Sequence, residues 1–135
     1  MRSIFVISIL VFSNILFSQS YKLSVKVEGL KSTKGNLVVG VYNNSTDFLK
    51  KEFTGKTIPI TAKIVKVYFN NLPKGKYAIA IYHDENKDGK LTTNFIGLPK
   101  EDYAFSNNAM GLIGPPGFEK AAVNMDRNKL IIIKL

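Results

Sequence analysis

The stretch "NLPKGKYAIAIYHD", residues 71–84, decides the fold. Pro73 and Gly75 mark a turn, and behind it Tyr77, Ile79 and Ile81 alternate with Ala78, Ala80 and Tyr82. A period of two sustained this long describes a β-strand with two different faces. At the head of that strand, the ring of Tyr77 can pack into a core while its hydroxyl bonds a nearby backbone group, as in a tyrosine corner.

Working outward, the same period recurs. In "YKLSVKVEGL" (residues 21–30), Leu23, Val25 and Val27 point one way and Lys22, Ser24 and Lys26 the other. "NLVVGVYN" (36–43) is apolar on both faces, as a more central strand is, with Leu37, Val39 and Val41 on the core side. Gly40 within it marks a bulge or a close backbone approach. "ITAKIVKVYFNNL" (60–72) supplies a third strand, with Val65, Val67 and Phe69 opposed to Ile60, Ala62, Ile64, Lys66 and Tyr68. "FEKAAVNM" and "NKLIIIKL", joined through Asp126 and Arg127, read as a C-terminal hairpin. The alternation breaks at "NSTDFLKKEF", where Ser45 or Thr46 is placed to cap one or two helical turns carrying Phe48 and Leu49. Short strands, frequent turns and one short helix predict an all-β sandwich of about six or seven strands.

The ends and the composition set the compartment. Residues 1–20, "MRSIFVISILVFSNILFSQS", have one cation, an apolar run from Ile4 to Phe17, and a small polar end. That is the layout of a secretory signal peptide, cleaved near residues 18–20, with an uncleaved anchor as the alternative. The expected mature chain, 21–135, is one domain with no transmembrane helix, destined for periplasm, cell envelope or exterior. With no cysteine among 135 residues, the fold rests on its core alone. The net charge of +9 includes Arg2, leaving about +8 after cleavage. The lysines are scattered at solvent-facing strand positions without a basic block, which argues against nucleic acid. Anionic envelope components such as lipopolysaccharide, glycan or phospholipid remain as partners.

Residues 83–118 break the pattern. A segment this long with Pro99, Pro115, Pro116 and many Gly and Asn exceeds ordinary connections, and such loops are often functional. Only a short strand around 94–96 is expected in it. It opens on "HDENKDGKL", which spaces Asp84, Asn86, Asp88, Lys90 (through its carbonyl) and Thr92 as the ligands of a calcium loop, with Gly89 at the sharp turn. Phe95 stands where such a loop needs its bidentate Glu, unless Glu101 or Asp102 folds back. The alternative is an Asx-rich β-turn with Gly89 at positive φ.

Three further constellations are open. His83, the only histidine, reads as a structural residue bonded to a loop carbonyl rather than as a base for Ser106, and its neighbour Asp84 points to the opposite face of the strand. Asp84 and Glu101 form a candidate carboxylate pair for a small periplasmic hydrolase. Tyr82, Glu101, Tyr103 and Asn107 are candidate contacts for a glycan or peptide, if the loop presents a ligand surface. One histidine is too few for zinc, and no glycine-rich phosphate loop is present. A non-enzymatic sandwich with a binding loop, steadied by calcium, leads over the hydrolase and over a purely structural envelope module.

His83 and Asp84, Asn86, the run Asp88-Gly89-Lys90-Leu91, Asn94-Phe95, Gly97, Pro99, Glu101, Tyr103, the run Phe105 to Asn108 and Pro116 together resemble a secreted bacterial family of Bacteroidetes type, domain of unknown function 2141. With "NLPKGKYAIAIYHD" matching too, the resemblance covers nearly all of 21–135. It implies an immunoglobulin-like or transthyretin-like sandwich in an exported protein and names no reaction. The same "LPKGKYAIAI" is similar to the turn and strand of carboxypeptidase-regulatory-like modules. Many relatives resemble one another in having Asp near the position of Thr92, a departure that weakens an anionic site here.

Overall fold

The computed structural model describes residues 17–135, so the signal segment expected at 1–20 lies outside the described residues except for 17–20. Among the described residues, no helix is long and apolar enough to cross a membrane. Eight strands form two sheets facing each other across one core, an all-β sandwich.

The first sheet has three strands. Strand β1 (Ser20–Glu28) lies at its centre, antiparallel to β4 (Val65–Pro73) and parallel to β8 (Lys129–Lys134), so that Val25 stands between Val67 and Ile131. A register shift opposite Tyr21 and Leu23 coincides with Asn71 at φ 58°, a conformation Asn tolerates better than most residues. The extra residue turns both Phe69 and Leu72 inward, although they lie three apart.

In the second sheet β2 (Asn36–Tyr42) runs between the edge strand β3 (Thr54–Pro59) and β5 (Gly75–Asp84). The far side of β5 is shared: Gly75 to Ala78 pair with β7 (Ala122–Met125), and Ala80 to Tyr82 with β6 (Tyr103–Phe105). Between those ladders the Ile79 N–H has no strand opposite. The buried Ser106 hydroxyl accepts it at 2.9 Å and also contacts the Ala121 carbonyl, which closes the seam.

Leu23, Val25 and Val27 from one sheet meet Leu37, Val39, Val41, Ile79 and Ile81 from the other, all essentially without solvent contact. Each such side chain contributes about 1.5–3 kcal/mol when fully buried, so this core can hold the fold without covalent cross-links. The tyrosine corner is present: Tyr77 is buried and donates its hydroxyl to the Pro73 carbonyl at 2.7 Å.

Three local expectations are corrected. The last two strands do not form a hairpin: β7 pairs with β5 in one sheet and β8 with β1 in the other. The corner between them is pinned by the Asn128 side chain, which accepts the Lys22 N–H at 2.8 Å and starts β8 alongside β1. No helix forms near Ser45 or Thr46. Asn44 accepts the Asp47 N–H at 2.9 Å, and Leu49 at φ 61° cannot continue a helical run. Among the described residues, the α-helical turn is instead α1 (Phe118–Ala121), within the segment read as a strand, and a 3-10 turn forms at Ser106–Asn108. Finally, residues 94–96 are a turn, because Asn94 folds its side chain onto the N–H groups of Ile96 and Leu98. Gly40 sits in unbroken register on both sides, and it is required by close approach: a Cβ there would meet the Tyr42 ring and hydroxyl at 3.1 Å.

Candidate functional site: an apolar cavity under the long loop

The loop leaves β5 through two buried residues facing opposite ways. His83 points into the sandwich, where its Nε2 lies 2.6 Å from the Lys34 carbonyl. A carbonyl only accepts, so the proton is on Nε2, and among the described residues the buried Nδ1 has no hydrogen-bond partner. The structural role expected of this histidine is the one seen. Asp84 points outward and is roofed by the loop. Its two oxygens accept the N–H groups of Asp88 at 3.2 Å and Gly89 at 2.9 Å.

Further along, Asn86 and Asp88 repeat the device. Asn86 Oδ1 accepts the Asp88 N–H, and Asp88 Oδ1 accepts the Lys90 N–H at 2.8 Å. Lys87 and Gly89 both take positive φ, as successive side-chain-closed turns require. Glu101 folds back, yet onto backbone: its oxygens accept the N–H groups of Glu85 and Thr92 at 3.1 and 2.9 Å. Thr92 in turn receives the Asn86 side-chain amide.

The side-chain oxygens of Asp84, Asn86, Asp88 and Glu101 are turned onto loop amides, and no group of three acidic or histidine side chains converges among the described residues. Together these bonds close a polar turn with Gly89 at positive φ, the Asx-rich arrangement read from the sequence as the alternative to a calcium loop.

With the loop fixed at its base, its apolar part arches over the outer face of β2, β5 and β6. There it borders a half-open cavity of about 510 Å³. The floor is Tyr42, Ala80, Tyr82, Tyr103 and Phe105, and the walls include Leu49, Leu91, Leu98, Pro99, Ile113 and Pro115. Ala80 is the small residue of that floor, and beside it across β2 and β3 stand Gly40 and Gly55, over which the Tyr42 ring and the Glu52 side chain lie. Aromatic edges hold it in shape: Tyr42 meets Phe48 at 5.3 Å, Phe48 meets Phe118 at 5.9 Å, and Tyr103 meets Phe105 at 5.8 Å, all edge to face.

Among the described residues, no charged side chain lines the cavity, and its polar side chains are the three tyrosines. Burial raises the Tyr82 hydroxyl above its usual range, helped by the negative charges of Asp84, Glu101, Asp88 and Glu52. Tyr42 is raised for the same reasons, burial first and then Glu52. Both hydroxyls are therefore proton donors at neutral pH.

Of the residues singled out as ligand contacts, the structure brings two together. Tyr82 and Tyr103 are direct cross-strand partners on the cavity floor. Glu101 is spent on loop amides, and Asn107, at φ 61°, gives its amide to the Lys120 and Ala122 carbonyls. The residues of the hydrolytic alternatives each have partners of their own. Both carboxylates of the pair hold backbone amides, Ser106 bonds to Ile79 and Ala121, and His83 to Lys34. Sequence reasoning missed Tyr42, Leu98 and Ile113. The signal was in "NFIGLP" and "MGLIGPP", apolar residues between turn formers with no strand to bury them.

A family model described as "Uncharacterized protein conserved in bacteria" (DUF2141) matches residues 25–132. The chain belongs to the DUF2141 family. The match begins in β1 and ends in β8, so the DUF2141 unit includes both sheets, the loop and the cavity. No curated protein and no solved structure matches the chain.

Proposed function

We propose that this DUF2141 protein is an exported, non-enzymatic binding protein that takes an apolar ligand into the cavity beneath residues 83–118. The observation that carries the reading is the cavity itself, about 510 Å³ with no charged side chain in its lining. That volume lies within the range of about 300–1,000 Å³ typical of small-molecule sites, and such sites are mainly apolar with a few placed polar groups. The hydroxyls of Tyr42, Tyr82 and Tyr103 fill that orienting role. Export rests on the signal-like segment at residues 1–20 and places the protein in the periplasm, cell envelope or exterior.

A sugar or peptide is the weaker fit. Glycan hydroxyls need carboxylate and amide partners, and the two such side chains proposed for that role, Glu101 and Asn107, are bonded to backbone. The test is uptake of a neutral environment-sensitive probe, N-phenyl-1-naphthylamine, followed by fluorescence. Saturable binding at one site is expected, weakened at least about tenfold by Ala80→Leu, which adds bulk on the cavity floor. Linear, non-saturating uptake, or uptake indifferent to Ala80→Leu in a folded variant, would refute the cavity as a binding site.

A further inference from the structure

The loop that walls the cavity carries the most exposed apolar side chains of the described residues outside position 17. Phe95, Leu112 and Ile113 are about 100 %, 102 % and 98 % exposed, with Ile96, Leu98 and Met110 beside them in sequence. They stand on two turns, 94–98 and 110–114, and both turns reach the same cavity, because Leu98 and Ile113 form part of its wall. Chains that leave such residues in water over a single contiguous site mark an interaction surface.

The form of the 94–98 turn, the one of the two with a self-bonded backbone, says what the surface meets. The 94–98 turn is closed on itself: Asn94 Oδ1 accepts the N–H groups of Ile96 and Leu98, the Asn94 carbonyl accepts the Gly97 N–H, and the Leu98 carbonyl accepts the Asn94 N–H. Few backbone donors are left for a protein partner to satisfy. An internally bonded backbone under protruding apolar side chains is what a segment needs in order to enter hydrocarbon, where nothing replaces water as a partner. A protein partner or second copy would need a matching socket for each protruding side chain, whereas a bilayer needs none.

Charge completes the match. Exposed Lys90 and Lys100 flank the 94–98 turn on either side, in a chain of net charge +9. The loop's buried or half-buried acids face inward, with Asp84 and Glu101 on amides and Asp102 paired to Lys31 at 2.9 Å; Glu85 and Asp88 remain the exposed acids at its base. Apolar tips bounded by lysines suit the surface of an anionic bilayer.

We propose that the 94–98 and 110–114 turns insert into an anionic lipid surface, so that the cavity mouth opens against the bilayer and receives an acyl chain without its crossing water. The acyl identity rests on the apolar-ligand reading above; the docking itself does not. The geometry makes Phe95 and Leu112 anchors and leaves Tyr82 and Tyr103 to the ligand.

Sedimentation of the purified protein with vesicles tests this, comparing phosphatidylethanolamine containing phosphatidylglycerol with pure phosphatidylcholine. Binding to the anionic vesicles is expected, persisting in part at about 0.5 M salt, where screening removes most of the lysine attraction. Phe95→Asp with Leu112→Asp should cut the bound fraction at least about tenfold while probe uptake stays within about twofold of the parent. Ala80→Leu should do the reverse, losing probe and keeping vesicles, so a failed ligand reading and a failed docking reading look different. No sedimentation, full release by salt alone, or tip variants that bind vesicles normally would overturn the docking. Self-association of the parent that those two substitutions abolish would overturn it in favour of a second copy.

Discussion

Glu101 accepts the Thr92 N–H at 2.9 Å with one oxygen while the other takes the Glu85 N–H at 3.1 Å. One side chain thereby ties the start of the long loop to the segment that walls the cavity. Removing it in Glu101→Ala leaves one half-buried amide, Thr92, and one exposed amide, Glu85, without their charged acceptor, at a cost of about 1–3 kcal/mol that falls mainly on Thr92. The loss should be local. Hydrogen exchange is expected to quicken at residues 85–99 with little change in β1 or β2, and probe uptake should weaken. Uniform loss of protection would mean instead that the carboxylate supports the whole sandwich.

Asp84 makes a separable prediction about metal. Its two oxygens accept from Asp88 and Gly89, so Asp84→Asn turns an NH₂ group toward one of those donors and should lower stability by about 1–3 kcal/mol. Because the acceptors serve amides, the same drop in melting temperature is expected in chelator and in millimolar calcium. A melting temperature that rises with calcium in the parent and not in the variant would show that an ion belongs to the loop.

What was legible in the sequence follows from how local the causes are. The faces of β1 and β5 could be read because burial of one side imposes a period of two on the strand itself. Tyr77 and Pro73 lie four residues apart, so their bond was legible as well. The pairing of β7 and β8 was not, since both strands show the same alternation whether they face each other or sit on opposite walls of one core. The choice is made by Asn128 and Lys22, 106 residues apart. The site failed in a different way. Glu101 and Asn107 looked like ligand contacts because they are polar and lie in a loop, but a long ordered loop must satisfy its own backbone, and these side chains do it. Leu98 and Ile113 looked like filler between Gly and Pro and turned out to be part of the cavity wall.

Two glycines of nearly equal φ should respond unequally to the same substitution. Gly35 at φ 77° and Gly89 at φ 75° both occupy the left-handed region, where a Cβ costs about 1–2 kcal/mol. At Gly89 the Cβ would meet open space, so Gly89→Ala should cost little more than that. At Gly35 it would lie 2.1 Å from the Asp84 carbonyl oxygen and 2.6 Å from Glu85 Cα. Backbone must move there, and it is the backbone from which the loop departs. Urea unfolding should place Gly35→Ala well below Gly89→Ala, by more than about 2 kcal/mol. Equal losses would mean that β2 and the loop base are not held together at this contact.

Alkaline pH addresses the cavity floor directly. The hydroxyls of Tyr42, Tyr77 and Tyr82 are each raised above 10.0, in every case chiefly by burial. In the folded protein they therefore keep their protons at a pH where the unfolded chain has begun to lose them. Their contribution to stability is present in full below the unfolded value of about 10 and is lost as pH rises through the higher folded values. The urea midpoint should thus fall as pH rises above about 10, in step with late phenolate absorbance. Tyr82→Phe should shallow that fall, because it removes the hydroxyl that also feels Asp84, Glu101 and Asp88. Probe affinity, if the neutral hydroxyls orient the ligand, should stay level to about pH 9 and then decline with the same profile. An affinity that moved near neutral pH would point away from the tyrosines, since no other titratable side chain lines the cavity.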